Sequence, residues 1–233
     1  MKNYEHYLPT RPEEISKWET MMKRVVGKSA DLIESRSKTG RGELLDVGCG
    51  YGFFLQEMKS RGWQVKGIEI SEHGRQYAQH TWNLEIFAEP LENLQLPENT
   101  FDVVTLFYVI EHVLEPLDLL KAVKRVLKPT GLVLLRWPHT TPIVRLLGPL
   151  SRRLDLYHTP YHLYDFSSQT IKKLLKQAGF RSVETMIAGY TLPSSRSSRW
   201  SSVVFGHFGE ILSSLSHSRI LFPGVSKTTL AHK

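Results

Sequence analysis

LLDVGCGYGFFL, residues 44–55, decides how the remaining 221 of the 233 residues are read. An apolar run ends in Asp46, glycines follow at alternate positions (Gly48, Gly50, Gly52), and apolar residues resume with Phe53, Phe54 and Leu55. That order predicts strand, tight turn, helix. Glycine lets a backbone turn sharply and lets a ligand lie against the peptide plane, while the first amides of the next helix point at it. The turn is built to hold a ligand.

Working outward, residues 63–70 (WQVKGIEI) read as a second strand finishing near Glu69, and Ser71 can cap a helix to about His80. Residues 84–88 form a short strand and 91–100 a loop. Residues 101–109 (FDVVTLFYV) are too apolar for one-sided burial and suit a central parallel strand. Glu115-Pro116 opens a helix that stops at Lys128-Pro129, and residues 132–137 make the fifth strand. Before the glycine turn, Ile15, Trp18, Met22, Val25 and Leu32 recur at near-helical spacing, giving an N-terminal helix from Pro12 to about Ser35 that Gly27 weakens.

After the fifth strand the pattern changes. Residues 138–164 hold four prolines and His139, His158 and His162 without a sustained period, which predicts an ordered excursion over the crevice. Ser167 caps a helix through Ala178 with Gly179 beyond its end, residues 180–188 alternate as a strand, and 225–232 form a terminal strand to pair with it. Between these, residues 193–223 are serine-rich with one acid, Glu210. Trp200, Val203, Val204, Phe208, Ile211, Leu212 and Leu215 fall on one helical face there, although Gly206 and Gly209 weaken the helix.

Alternating strands and helices argue for an α/β, doubly wound, mostly parallel sheet of Rossmann-like type, with an N-terminal helix and a C-terminal helical insertion before the last strand. The length suits one domain over 1–233: a helical segment 1–41, a ligand-binding core 42–137, an excursion 138–166 and a lid or membrane-facing insertion 193–223. Ligands in such sheets bind outside the carboxyl ends of the strands. The glycine turn, Glu69, the Ala88 loop and residues 108–112 therefore share a crevice.

The net charge of +7 and sequence pI near 9.4 allow an anionic partner, but the positive residues are scattered, which equally fits a solvated surface. No basic and aromatic cluster of a nucleic-acid module is present, so nucleic acid is not expected. One cysteine, Cys49, excludes an intramolecular disulfide framework and a cysteine-cluster metal site. The opening MKNYEHYLPT has no apolar core of signal-peptide length, and no apolar run is long enough to span a bilayer. The expectation is a cytoplasmic protein, peripheral to a membrane at most. The basic, apolar 193–223 segment suits contact with an anionic membrane or a lid over a lipophilic acceptor.

Two ligand classes use a glycine turn after the first strand and an acid after the second. Dinucleotide binders need G-x-G-x-x-G. Here the spacing is G-x-G-x-G, with Phe53 at the third dinucleotide glycine. That disfavours a nicotinamide-dependent oxidoreductase.

LLDVGCGYGFFL, GIEIS, FDVVTLFYVIEHV, LKPTGLVLL and the 160–180 stretch PYHLYDFSSQTIKKLLKQAGF resemble, in order, the motifs of class I S-adenosylmethionine-dependent methyltransferases. The resemblance is nearest to the branch containing ubiquinone-pathway O-methyltransferases and methyltransferases of glycan and lipid biosynthesis. It covers about 42–188 and leaves 193–223 uncovered. It implies S-adenosylmethionine as cofactor and a small-molecule, lipid or glycan acceptor, methylated at oxygen. An inactive protein that kept the cofactor crevice is the alternative.

A carboxylate at a strand end can accept both ribose hydroxyls, which assigns Glu69, with Ile70 beside it, to the ribose. The resemblance implies the rest of the cofactor set. Gly48, Cys49 and Gly50 lie against the methionine portion, Asp46 fixes the turn and faces the amino group, Ala88, Glu89 and Leu91 lie where adenine is contacted, and Tyr108 stands near the sulfonium. Glu111 and His112 are the candidate base pair, imidazole being suited to taking a proton near neutral pH. His139, His158 and His162 are candidates to face the acceptor. Some ubiquinone-branch relatives bind a divalent metal through E-x-x-E-H here; Tyr108 replaces the first glutamate, so no metal is expected.

Overall fold

A computed structural model describes residues 8–37, 40–148 and 161–233. Seven strands form one sheet in the order β3-β2-β1-β4-β5-β7-β6. The strands are β1 (Glu43–Val47), β2 (Gln64–Ile68), β3 (Glu85–Phe87), β4 (Phe101–Phe107), β5 (Leu127–Trp137), β6 (Arg181–Met186) and β7 (Lys227–His232). β1 pairs in parallel with both β2 and β4, so its neighbours on the two sides belong to opposite windings of the chain. That is the switch point of a doubly wound sheet, where a crevice opens beyond the strand ends. β7 runs antiparallel between β5 and β6.

The apolar runs account for the layers. β1 and β4 are buried on both faces because helices cover both. One layer packs β4 and β5 against α4 (Pro116–Val126) and α6 (Ser168–Gln177), through Leu120, Val123, Ile171 and Leu175. The other packs the sheet against α1 (Pro12–Arg36), α2 (Phe53–Ser60) and α3 (Glu72–Trp82), through Ile33, Leu55, Met58 and Ala78. Ser71 and Ser167 cap α3 and α6 by accepting from Gly74 N and Thr170 N, about 1 kcal/mol each.

Three details depart from the sequence reading. The fifth strand begins at Leu127, five residues early, because Leu127 already pairs with Phe101. Gly27 does not interrupt α1, which runs 25 residues. In α7 (Arg196–Leu215) the glycines are points of close packing: a Cβ on Gly206 would stand 2.3 Å from the Tyr190 ring, and one on Gly209 3.3 Å from Ile187. Of the excursion, residues 138–148, with α5 (Thr141–Leu147), and 161–164 are described. His158 lies outside the described residues.

Candidate functional site

All three motif glycines adopt positive φ, at 72°, 54° and 76°. Alternate spacing is thus the signature of a turn that enters the left-handed region every second residue. At Gly48 the requirement is also steric, since a Cβ would meet Val109 Cγ2 at 2.5 Å. At Gly50 such a Cβ would meet Leu8 Cδ2 at 3.9 Å, an ordinary contact, so there only the positive φ calls for glycine.

The turn is held from the neighbouring strand. Gly48 N and Cys49 N donate to Ile68 O at 2.7 and 3.0 Å. Glu69 accepts from Gly50 N through Oε2 at 2.7 Å and from Ser71 N through Oε1 at 2.8 Å. One carboxylate therefore ties the β1–α2 turn to the β2–α3 turn. Its oxygens retain lone pairs for further donors, as a ribose site requires. Burial raises the Glu69 pKa, and the amide hydrogen bonds oppose that rise.

Asp46 does not fix the turn. Its carboxyl is 2% exposed and accepts from Thr105 Oγ1 at 2.7 Å, across to β4. Burial, partly offset by that bond, lifts its pKa to about 8. Burial also pushes the Cys49 thiol up, which makes it a packing residue and not a nucleophile.

A cavity of about 1310 Å³ joins this turn to the end of β4. Asp46, Gly48, Cys49, Gly50, Glu69 and Ile70 line one end, and Tyr108, His112 and His162 line the other. Beyond β3 the chain reaches the cavity through Pro90 and Glu92. Leu91 is buried in the core, while Ala88 and Glu89 are exposed outside the lining. His139 is half-buried against Trp137, between the lining residues Pro138 and Thr140.

His112 Nδ1 lies 2.8 Å from Tyr161 O. A carbonyl only accepts, so Nδ1 carries the proton and Nε2 the lone pair. The His162 ring packs edge-on at 4.9 Å. Glu111 lies beneath at 0% exposure and does not line the cavity. Among the described residues neither of its carboxylate oxygens has a hydrogen-bond partner, and burial lifts its pKa to about 8. Glu111, His112 and His162 each offer one ligand atom within 4.8 Å of the others, a carboxylate and two imidazoles that fit a divalent cation. Tyr108 takes no part in this group. It has φ +57°, accepts from Arg136 Nε at 2.8 Å and donates to Ser226 Oγ at 3.2 Å.

Sequence reasoning missed several lining residues. Trp18, Met21 and Met22 of α1 form an apolar wall, and Thr191 and Ser226 come from near β6 and β7. Outside the lining, Arg136 had a signal, a lone charge inside the apolar strand LVLLRW. It is 1% exposed and, besides Tyr108, donates to Ala188 O, Gly189 O and Thr228 Oγ1.

A family model described as a methyltransferase domain matches residues 19–185. The chain belongs to this methyltransferase family. The class I S-adenosylmethionine-dependent methyltransferase assignment made from the motifs is thereby confirmed, with S-adenosylmethionine as its cofactor. Similar proteins include the ubiquinone biosynthesis O-methyltransferases of Pseudomonas putida (strain GB-1), 32% identical over 142 residues, and Acinetobacter baumannii (strain AYE), 33% identical over 131. These matches cover 58% and 53% of this chain, and 60% and 55% of those proteins. The matched part thus spans under two thirds of these relatives. A methyltransferase structure from Archaeoglobus fulgidus has the same fold, with TM-score 0.65, 20% identity and coverage of 96% of this chain and 100% of that one. Phosphoethanolamine N-methyltransferase 2 of Haemonchus contortus, in complex with S-adenosyl-L-methionine, superposes with TM-score 0.59 at 18% identity, over 88% of this chain and 52% of that one.

Proposed function

We propose that this methyltransferase moves the methyl group of S-adenosylmethionine to a hydroxyl of a small, lipophilic acceptor. The observation that carries the reading is one continuous cavity lined by both the Glu69-tied glycine turn and His112. Glu69 binds the ribose hydroxyls, with Ile70 beside it. Gly48, Cys49 and Gly50 cradle the methionine portion, Asp46 faces its ammonium group, and Tyr108 stands near the sulfonium. Pro90 and Glu92 contact adenine, with Ala88, Glu89 and Leu91 setting the path of that loop.

The methyl group is already activated by the sulfonium charge, so alignment supplies much of the rate. The acceptor oxygen forms its bond to the methyl carbon as the carbon–sulfur bond breaks, and the electron pair stays on sulfur. The acceptor proton passes to His112 Nε2. Within the pair His112 is the base because it faces the cavity, whereas Glu111 lies behind it. His162 and His139 flank the acceptor, and His158 belongs to the same excursion. The apolar wall from Trp18, Met21 and Met22 favours a lipophilic acceptor over a glycan. The relatives' name, ubiquinone biosynthesis O-methyltransferase, supports oxygen as the accepting atom. A cytoplasmic location and no nucleic-acid partner complete the proposal.

The cluster of Glu111, His112 and His162 favours a second form of the same chemistry. A divalent cation held there would act as a Lewis acid on the acceptor oxygen. Chelation separates the two forms: turnover that survives chelator supports His112 as the base without a metal, and turnover restored by added cation supports the metal form.

Replacing His112 with Gln tests the first form. Turnover falls by about 10²–10⁴ while cofactor affinity is retained. Unchanged turnover in that variant rules His112 out as the base. Absence of any turnover across lipid, polysaccharide and aqueous cell fractions, with cofactor binding intact, would point to an inactive cofactor-binding protein. NAD binding would point to an oxidoreductase.

A further inference from the structure

Arg136 of β5 and Lys227 of β7 are 1% and 0% exposed. The antiparallel pairing of their strands sets Arg136 opposite Thr228 and Lys227 opposite Trp137, so the two cations lie at one end of the sheet. Taking a charge out of water is costly unless an opposite charge meets it, and arginine cannot escape by losing its proton. Among the described residues no carboxylate pairs with either side chain. Arg136 donates to Tyr108 Oη through Nε, and to Ala188 O, Gly189 O and Thr228 Oγ1 through its terminal nitrogens, all of them uncharged oxygens. Lys227 Nζ donates to Phe222 O and Val225 O at 2.5 Å each. Burial and the neighbouring Arg136 push the Lys227 pKa down to about 7. Asp165, which acts on nearby His139, accepts from Thr140 N and Thr141 N at 3.1 and 2.8 Å and does not answer the pair.

This uncompensated charge lies behind the cavity wall. Pro138 follows Trp137, Ser226 precedes Lys227 and Thr191 comes two residues after Gly189, and all three line the cavity. Tyr108, also in the lining, stands between Arg136 and Ser226, its ring centroid 5.7 Å from the guanidinium carbon. Its φ of +57° is a backbone region that an aromatic residue seldom enters, and the bond from Arg136 helps to hold it there.

The direction of the hydrogen bonds decides what the cavity meets. A guanidinium only donates, so the Tyr108 oxygen accepts from Arg136 and its proton goes to Ser226 Oγ at 3.2 Å. Ser226 accepts there, which leaves its own proton for an acceptor atom in the cavity. Each bond in such a chain polarises the next. The Ser226 hydroxyl is thus a donor backed by a buried cation.

A neutral carbonyl would satisfy that proton but leave the charge behind it unanswered. A phosphate brings three strong acceptor oxygens, whereas the Arg136 fork is already engaged by the protein. One directed donor with positive charge at its back complements a carboxylate. We infer that the methyl acceptor carries a carboxylate, distinct from the hydroxyl to be methylated, which binds Ser226 in front of Arg136 and Lys227 while its lipophilic part lies on Trp18, Met21 and Met22. Assigning the carboxylate to the acceptor rests on the proposed methyl transfer, whereas the preference of this end of the cavity for a carboxylate does not.

The test is calorimetric titration of the full chain, in the presence of S-adenosylhomocysteine, with para-hexylbenzoate, para-hexylbenzamide and para-hexylphenyl phosphate. None of these has a free alcohol or phenol to methylate. The benzoate binds at least ~10-fold more tightly than the benzamide, as a hydrogen bond to a charged group implies. Ser226→Ala, which removes one oxygen, and separately Lys227→Met, which keeps the apolar stem, each bring the two affinities to within about 3-fold of one another. A second readout is the proton. At about pH 8 Lys227 is mostly neutral, and an anion beside it restores the ammonium form, so benzoate binding takes up part of a proton in wild type and none in Lys227→Met. Titration in buffers of different ionisation enthalpy measures that uptake. Equal affinity for benzoate and benzamide, tighter binding of the phosphate, no binding of any of the three, or a preference that survives in Ser226→Ala overturns the inference. Selective carboxylate binding with no methylation of any hydroxylated counterpart would leave the anion site standing and count against the methyl-transfer reading. Methylation that favours the amide of a hydroxylated acid over the acid itself would sink the inference and keep that reading.

Discussion

At the residue scale, Asp46 and Glu69 occupy similar places at adjoining strand ends and do different work. Glu69 accepts from two backbone amides and so fixes two turns at once. Asp46 accepts from a single hydroxyl in a fully buried site, and its pKa of about 8 reflects that poverty of donors. The difference carries a sign. Unfolded aspartate releases its proton near pH 4, whereas Asp46 in the native protein holds it until about pH 8. Between those values the native state binds more protons, so the stability of the unliganded protein falls as pH rises and levels off above about 8. Urea midpoints measured across that window should show the fall, and Asp46→Asn should lessen it. A midpoint that rises through the window in wild type, or the same slope in the variant, would refute the buried neutral carboxyl. With Asp46 against the cofactor's ammonium group, as proposed, the ionised form would be favoured on binding, and cofactor affinity is then expected to strengthen towards pH 8.

At the scale of elements, legibility followed the range of the interaction. The glycine turn, the Ser71 and Ser167 caps and the buried β4 run are local, and each was readable from neighbouring residues. Gly206 and Gly209 were misread because their reason lies across the fold, in Tyr190 and Ile187. Spacing alone sees only a helix breaker there. The structure predicts that Gly206→Ala, by driving a Cβ into the Tyr190 ring, costs about 1–3 kcal/mol and loosens α7. Limited proteolysis should then cut within 193–223 faster than in wild type, and an unchanged cleavage rate would argue against tight seating of the helix. The N-terminal helix is a similar case. Its apolar spacing announced a buried face, but nothing local says that Trp18 and Met22 of that face line a ligand cavity.

At the scale of the molecule, the topology brings the site together. Parallel pairing of β1 with β2 and β4 aligns three strand ends, so Asp46, Glu69 and Tyr108 share one edge although 62 positions separate the first from the last. That convergence was legible because α/β order dictates it. The meeting of His162 with Glu111 and His112 was not, because an excursion of irregular sequence makes it. The same distinction separates the glycine-turn residues, which neighbouring sequence names one by one, from the lining supplied by Trp18, Met21, Thr191 and Ser226, which it does not.

The central claim is that the glycine turn tied by Glu69 binds S-adenosylmethionine, and calorimetric titration of that cofactor into wild type and Glu69→Ala tests it most directly. Wild type should bind, and the variant, which loses the proposed ribose acceptor and the tie to Gly50 and Ser71, should lose at least ~100-fold, or about 2.7 kcal/mol, while far-ultraviolet circular dichroism stays native. Equal affinity in the two proteins, or no binding to wild type, would contradict the account.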